Sequence, residues 1–126
     1  MLFRSTRPPV ISDVNLSVTV VDSTKGKRAQ LIATWKTDEP ATSQITYQDA
    51  DKASSELTTP LDAEPTANHV MVISDLNLAD IYKVKIVSRD LNGNTVNAPA
   101  TTIVTPDKET NVFDNILNLM LKLFRI

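Results

Sequence analysis

Two carboxylates stand side by side in the stretch WKTDEPATSQITY, which runs from Trp35 to Tyr47. A pair of carboxyl groups that face one another can serve as a general acid and a general base. Asp38 and Glu39 are adjacent, however, and on an extended chain adjacent side chains point to opposite sides. Pro40 follows them, and its missing backbone N–H suits a point where the chain leaves one strand for another. We therefore predict a structural corner between two strands here, and not a catalytic pair.

A second group of side-chain oxygens is of the type that binds calcium. In DLNGN, Asp90, Asn92 and Asn94 offer oxygens at alternate positions. An EF-hand loop needs glycine at its sixth position and glutamate at its twelfth, whereas Gly93 is the fourth residue of this stretch. Because asparagine and glycine tolerate left-handed backbone angles, the pattern predicts a hairpin turn instead.

Few other residues are candidates for chemistry. Asp49 and Asp51 have no third anchored carboxylate beside them and are predicted to lie in a solvated loop. His69 is the only histidine, cysteine is absent, and the chain has two glycines, so a histidine cluster, a thiolate site and a glycine-rich phosphate loop are excluded. No G-x-S-x-G elbow occurs. We predict that the protein is not an enzyme and has no catalytic, cofactor-binding or metal-binding residues.

The composition describes one ordinary domain. The 126 residues carry a net charge of −2, with 41% hydrophobic and 22% charged residues, which is enough for one modest core. The dense basic group Lys25, Lys27 and Arg28 is predicted to be a solvated loop, so electrostatics favours neither nucleic acid nor an anionic membrane as a partner. The start, MLFRSTRPP, has no apolar run of the length that a signal peptide needs. The absence of cysteine fits the cytosol and prokaryotic surface proteins equally well.

Short runs rich in valine, isoleucine, threonine and tyrosine fill the chain from Val10 to Thr105, which predicts an all-β domain. In AQLIATWK every second side chain from Ala29 to Trp35 is apolar, and the alternate face is polar except for Ile32. IYKVKIVSR follows the same rule. VNLSVTVVD precedes the five-residue connection STKGK, where Gly26 is available for a positive φ, so a hairpin is predicted. ATSQITYQ, NHVMVIS and APATTIVT are further strands, but NHVMVIS has apolar residues on both faces and its register stays open. About seven strands of this kind predict a two-sheet sandwich.

The C-terminal tail breaks this pattern. In TNVFDNILNLMLKLFRI polar side chains recur at three- and four-residue steps and ten large apolar residues fill the remaining arc, which predicts an amphipathic helix. Thr110 suits the N-cap, and Lys122 and Arg125 lie near the end, where the helix dipole favours cations. Three interpretations stay open: the helix packs on its own sandwich, it packs against another copy or subunit, or it lies in a membrane interface.

The chain from Pro8 to Pro106 resembles fibronectin type III-like domains, especially those of prokaryotic surface proteins, and is similar to the N-terminal accessory domain of purple acid phosphatases. The matching stretches are PPVISDV, ATWKTDEPATSQITY, HVMVISDLNLADIYKVKIVSRDLNGN and the last threonine-rich strand. The resemblance implies that Trp35 is the core tryptophan of the second strand and that Leu76 and Tyr82 form a tyrosine corner. The strand pattern places Tyr47 in the core as well. The C-terminal helix is not part of the family pattern.

These observations divide the chain into an N-terminal arm (1–8), a fibronectin type III-like sandwich (9–106) and a linker with an amphipathic helix (107–126). We expect a non-catalytic structural or assembly module of a prokaryotic extracellular or cell-surface protein, with no cofactor and with copies of itself or a neighbouring subunit as partner. The alternative is a ligand- or carbohydrate-contacting accessory domain of a larger secreted enzyme. The residues predicted to form the assembly interface are Phe113, Ile116, Leu117, Met120, Leu121 and Phe124.

Overall fold

The computed structural model describes residues 7–50 and 56–107. This part of the chain is all-β, and every strand pairing in it is antiparallel. The seven strands are β1 (Ile11–Ser23), β2 (Gly26–Asp49), β3 (Leu57–Thr58), β4 (Asp62–Leu76), β5 (Ile81–Arg89), β6 (Thr95–Asn97) and β7 (Thr101–Val104). The predicted C-terminal helix and most of the predicted N-terminal arm lie outside the described residues. Within the described residues, no helix could span a membrane.

One long strand connects two layers. The first half of β2 pairs with β1 on one side and with β4 on the other. Its second half keeps two pairs with the start of β4, at Ala41 and Ser43, and pairs further on with β3 and β5; β5 also pairs with β6 and β7. We call β1, the first half of β2 and β4 the first layer, and β3, the second half of β2, β5, β6 and β7 the second layer.

The two layers face one another across a shared core. Trp35 in the first layer donates a buried hydrogen bond from Nε1 to Ser88 Oγ in the second layer, at 3.0 Å. Leu31, Ile73 and Ile86 belong to the same buried cluster. The prediction of an all-β, sandwich-like fold of about seven strands is therefore confirmed, but the seven strands are joined through β2 into one sheet and not into the two separate sheets that the sequence predicted.

The period-two pattern holds in the two strands where it was clearest. Ala29, Leu31, Ala33 and Trp35 are all buried on the inner face of β2. On β5 the inner residues are Tyr82, Val84, Ile86 and Ser88, while the lysines between them lie outside. Alternate side chains of a strand point to opposite faces, so burial of one face fixes the register.

The predicted corner at Pro40 is not a break between two strands. β2 runs through it without interruption, as a strand of 24 residues. Lys36 pairs with Asn68 and Ala41 pairs with Thr66, so the register shifts between these two pairs. The extra residues lie where β2 changes partners, and a proline at such a bulge removes no ladder hydrogen bond. The two strands expected from the sequence are therefore one bent strand.

Both predicted hairpins are confirmed, and the connection in the first is shorter than the five residues predicted. β1 and β2 are joined by two residues only, because Ser23 pairs directly with Gly26. Gly26 has φ of +99°, which glycine adopts without a Cβ clash. The turn between β5 and β6 spans Asp90 to Asn94, with Gly93 at φ +88°.

Two other expectations need correction. The basic group near the first hairpin is not simply solvated: Lys25 Nζ and Arg28 Nε lie 3.1 Å and 2.9 Å from the carboxylate of Asp75. The last predicted strand, APATTIVT, is also shorter than expected, because only Thr101–Val104 form β7, and β6 before it was not predicted. β6 and β7 both pair with β5, and residues 98–100 lie between them outside any strand.

Candidate functional site

The only histidine of the chain lies beside the bend of β2 near Pro40, which we call the β2 corner. His69 on β4 is opposite Trp35 on β2 and is 2% exposed. The two rings are stacked, with centroids 4.9 Å apart and planes within 2°. The sequence left the register of this strand open, and the structure turns His69 towards the core.

Both ring nitrogens of His69 are hydrogen-bonded to hydroxyl groups of β2. Nδ1 lies 2.6 Å from Ser43 Oγ, and Nε2 lies 2.9 Å from Thr37 Oγ1. The Thr37 hydroxyl lies 2.7 Å from the carbonyl oxygen of Glu39 and 3.4 Å from that of Thr66, and when it donates its one proton to either of them it accepts from Nε2–H. Ser43 then donates to Nδ1. The network assigns a neutral imidazole with its proton on Nε2.

Burial lowers the pKa of His69, although the nearby Asp62 acts to raise it. A serine hydroxyl beside a histidine is the arrangement that activates a nucleophile in many hydrolases. Here Ser43 is 1% exposed and Thr37 is 6% exposed, so the pair has no open surface for a substrate. The arrangement satisfies polar groups that would otherwise be buried without partners where β2 changes layers.

Polar inward positions on β2 are the sequence signal for this network. Inward residues of β2 have odd numbers, and Thr37 and Ser43 occupy two of these positions between the apolar Trp35 and Ile45. A hydroxyl on an otherwise apolar face needs a buried partner. His69, whose ring can both accept and donate a hydrogen bond, fills this role.

The adjacent carboxylates of the opening motif do point apart. Asp38 accepts hydrogen bonds from the Arg7 side chain at 2.7 Å and from the Val10 backbone N–H at 2.8 Å. These bonds, led by that from the Val10 N–H, lower the pKa of Asp38. Asp38 thereby holds the chain before β1 against the corner. The prediction that Asp38 and Glu39 do not form a pair is confirmed.

Glu39 instead meets a carboxyl group that is distant in sequence. Its hydrogen bond with Asp90, with burial as the next cause, raises the pKa of Glu39. Burial acts to raise the pKa of Asp90 too, but hydrogen bonds from Asn94, Glu39 and the backbone of Asn92 together hold it below its usual value. Asp90 accepts from the N–H groups of Asn92 and Asn94 at 2.9 Å and 2.8 Å. Of the two carboxyl groups, Glu39 is therefore the one whose pKa is raised.

The sequence offers no signal for this carboxyl pair. Glu39 and Asp90 come together because Ala41, at the bend of β2, forms an isolated bridge with Asp90 at the end of β5. Two carboxyl groups are too few to hold a hard cation. Within residues 7–50 and 56–107, no group of three or more histidine, aspartate or glutamate side chains could hold a metal ion.

The four predicted core residues have different environments. Trp35, Leu76 and Tyr82 are 1%, 4% and 5% exposed, whereas Tyr47 is half-buried against the core. The Tyr82 hydroxyl accepts a hydrogen bond from the backbone N–H of Asn77 at 2.9 Å, and burial raises the pKa of Tyr82. The six residues predicted for the assembly interface lie outside the described residues: Phe113, Ile116, Leu117, Met120, Leu121 and Phe124.

An apolar groove opens between the two layers at the edge formed by β3 and β4, and we call it the β3–β4 groove. Its volume is about 530 Å³. Tyr47, Leu61, Met71, Val72 and Ile73 supply its apolar lining. Leu61 is 54% exposed and Val72 is 49% exposed, so a partner that filled the groove would remove both from water. In the sequence, this surface is indicated by the apolar residues on both faces of NHVMVIS.

A smaller cavity of about 210 Å³ lies at the opposite open edge of the layers. It is lined by β1, β5 and the segment before β7, including Leu16, Val84 and Pro99. Leu16 packs against the core. Val84 and Ile86 of its lining belong to the buried core. The larger β3–β4 groove is therefore the better candidate for binding.

Comparison with known proteins identifies a shared fold and no family. No family model and no curated protein matches the chain. A crystal structure from Bordetella pertussis, assigned as ApaA, superposes with a TM-score of 0.50 at 13% identity, covering 84% of this chain and 100% of that one. A second solved structural-genomics target gives a TM-score of 0.49 at 16% identity, covering 80% and 91% of the two chains. At these identities the likeness to the Bordetella pertussis structure concerns the fold alone.

Proposed function

We propose that the chain is a fibronectin type III-like β-sandwich that acts as a non-catalytic structural and assembly module of a prokaryotic extracellular or cell-surface protein. The observation that carries the proposal is the contrast between its polar and apolar side chains. Thr37, Ser43 and His69 at the bend of β2 are buried and hydrogen-bonded to one another, whereas Leu61 and Val72 at the β3–β4 groove are exposed. A surface of this kind favours association with protein over chemistry on a substrate.

The assignment to the fibronectin type III class rests on two structural features. Tyr82 lies near the start of β5, and its hydroxyl bonds to the backbone at Asn77, five residues upstream, as in a tyrosine corner. Trp35 crosses the core from the first layer to Ser88 in the second. Both features support the class that the sequence resemblance implied.

The proposed mechanism is associative. The sandwich keeps its shape through the shared core, and the apolar arc of the C-terminal segment, residues 108–126, packs against a neighbouring copy or subunit. Burial of apolar surface contributes about 25 cal/mol per Å², and it must offset the translational and rotational freedom that two subunits lose when they associate.

The experiment that tests this proposal is the mass of the full chain in solution, measured by light scattering over a concentration series without detergent. We expect the native chain to assemble and Leu117→Glu to remain monomeric, since the glutamate lies on the predicted apolar face. Asn118→Glu is the matched control, because it adds the same charge on the predicted polar face and should assemble like the native chain. A native chain that stays monomeric at all concentrations would refute the proposal.

The second candidate, a carbohydrate-contacting accessory domain, has less support. Sugar platforms are usually built from exposed aromatic rings. Trp35 and Tyr82 are buried and cannot contact a sugar. Of these three aromatic residues, Tyr47 alone lines the β3–β4 groove, and it is itself half-buried. Among the described residues, a flat aromatic surface is not present.

A further inference from the structure

We propose that the β3–β4 groove is the acceptor site for the C-terminal segment, residues 108–126, of a second copy of this chain. This inference rests on the proposed function, since it names the surface that the associating segment would bind. The contact would be heterologous: one copy donates the segment and the next copy offers the groove.

The first argument is the chemistry of the groove and its rims. Two of its lining residues, Leu61 and Val72, are 54% and 49% exposed, and outside the lining Leu57 on β3 and Val70 on the outer face of β4 are 55% and 63% exposed. Clustered apolar exposure on one edge of a small domain marks an association surface, whereas scattered apolar residues do not. The segment that would bind there carries ten large apolar residues.

The second argument is the place where the chain leaves the sandwich. Thr105 N–H donates to the Asp80 carbonyl at 2.8 Å, and the Pro106 carbonyl accepts from Ala79 N–H at 2.9 Å. These bonds fix the exit beside the connection between β4 and β5. In the second layer the strand order is β3, β2, β5 and β7, so β7 and β3 form opposite edges.

The chain leaves the sandwich at a different edge from the one that carries the groove, so the segment could reach the groove of a neighbour or, across the end of the sandwich, its own. Paired strands are about 4.8 Å apart, so three spacings put β7 roughly 14 Å from β3. A chain's own segment would have to cross the end of the sandwich to enter its groove. A neighbour that approaches the β3–β4 edge can present its segment directly, so donor and acceptor surfaces lie on opposite sides of each copy.

The third argument is charge. Asp62 lines the groove, and Glu64 follows it on the same strand as an exposed residue. Lys122 and Arg125 are the cations at the end of the C-terminal segment. A segment seated with its C-terminal residues near Asp62 would bring opposite charges together at the rim, which sets the direction of binding more than its strength.

A heterologous contact has a consequence for assembly. Each copy that donates a segment still has an empty groove, and each copy that accepts one still has a segment to donate. Such contacts close into a ring when the rotation between copies allows it and otherwise continue as an open series. The proposal therefore predicts assemblies that grow beyond the dimer as concentration rises.

The experiment uses two full-length variants and their mixture. Val72→Glu places a charge in the groove and should destroy the acceptor, while Leu117→Glu should destroy the donor. Each variant alone is expected to be monomeric by light scattering. The mixture is expected to form heterodimers of one Val72→Glu chain and one Leu117→Glu chain, and nothing larger, because one donor and one acceptor remain. Leu91→Glu is the control, since Leu91 is 74% exposed on the β5–β6 turn, away from the groove, and should assemble like the native chain.

The possible results separate this inference from the proposed function. If Val72→Glu assembles like the native chain, the groove is not the acceptor, and the proposed function still stands. If both variants are monomeric and the mixture is monomeric too, the contact is not of the donor and acceptor kind. If the native chain itself is monomeric, the proposed function fails, and a lower melting temperature of Leu117→Glu would then place the segment on its own sandwich. Circular dichroism of each variant must first match that of the native chain.

Discussion

Lowering the pH should destabilise the folded chain through His69. In the folded state the neutral ring is buried, and burial lowers the pKa of His69 below its ordinary value of 6.5. The unfolded chain therefore takes up the proton first, so this contribution to stability is fully present above about pH 6.5 and is lost as the pH falls below that value. The slope is at most one proton, or about 1.4 kcal/mol per pH unit. Between about pH 6.5 and 5.5 the loss amounts to at most about 1 kcal/mol.

The assay is urea unfolding, followed by the fluorescence of Trp35, at several values between about pH 7.5 and 5.5. His69→Gln is the control: it loses the ring stack on Trp35 and should be less stable at every pH, but it should lack the decline that begins near the ordinary histidine pKa. An NMR titration of His69 in the folded chain gives the decisive number. A pKa at or above 6.5, or an equal pH slope in His69→Gln, would refute the argument from burial.

Two further substitutions test the other polar contacts of the core. Ser88→Ala should cost about 1–3 kcal/mol, since it leaves Trp35 Nε1–H buried without an acceptor; unfolding in urea measures the loss, and an unchanged midpoint would mean that the hydrogen bond is not formed in solution. Glu39→Gln should raise the melting temperature more at about pH 7 than at about pH 4. The raised pKa of Glu39 stabilises the native chain below its ordinary value of 4.5, and that stabilisation is lost as the pH rises through the folded pKa. Equal effects at the two pH values would show that Asp90 does not raise the pKa of Glu39 in the folded chain.

The layers and their inner faces could be predicted from the sequence because one face of each central strand is apolar. Leu31 and Trp35 on β2, and Val84 and Ile86 on β5, follow strict alternation, and burial of that face leaves one register. β4 could not be resolved in this way. Its outer face carries Val70 and other apolar residues at an open edge, so the pattern is apolar on both sides.

The continuity of β2 and the contact between Glu39 and Asp90 could not be predicted from the sequence, for a different reason. Proline usually ends a strand, and Pro40 does not do so because β2 changes partners there and needs no N–H. The contact between Glu39 and Asp90 depends on bringing the bend of β2 to the end of β5, which no local spacing encodes. Thr37 and Ser43 did carry a signal, since hydroxyls at inward positions require a buried partner.

The 24-residue length of β2 also bears on how the domain would respond to load. A sandwich whose layers are joined only by loops can shear, because loops extend before any ladder bond breaks. Here the same backbone is hydrogen-bonded in both layers, and the Trp35–Ser88 contact locks the layers a short distance from the bend. Sliding one layer over the other would require β2 to lose its pairs with β4 or with β5. We therefore expect the layers to move as one body, so that tension between subunits in a series would pass through the sandwich without lengthening it.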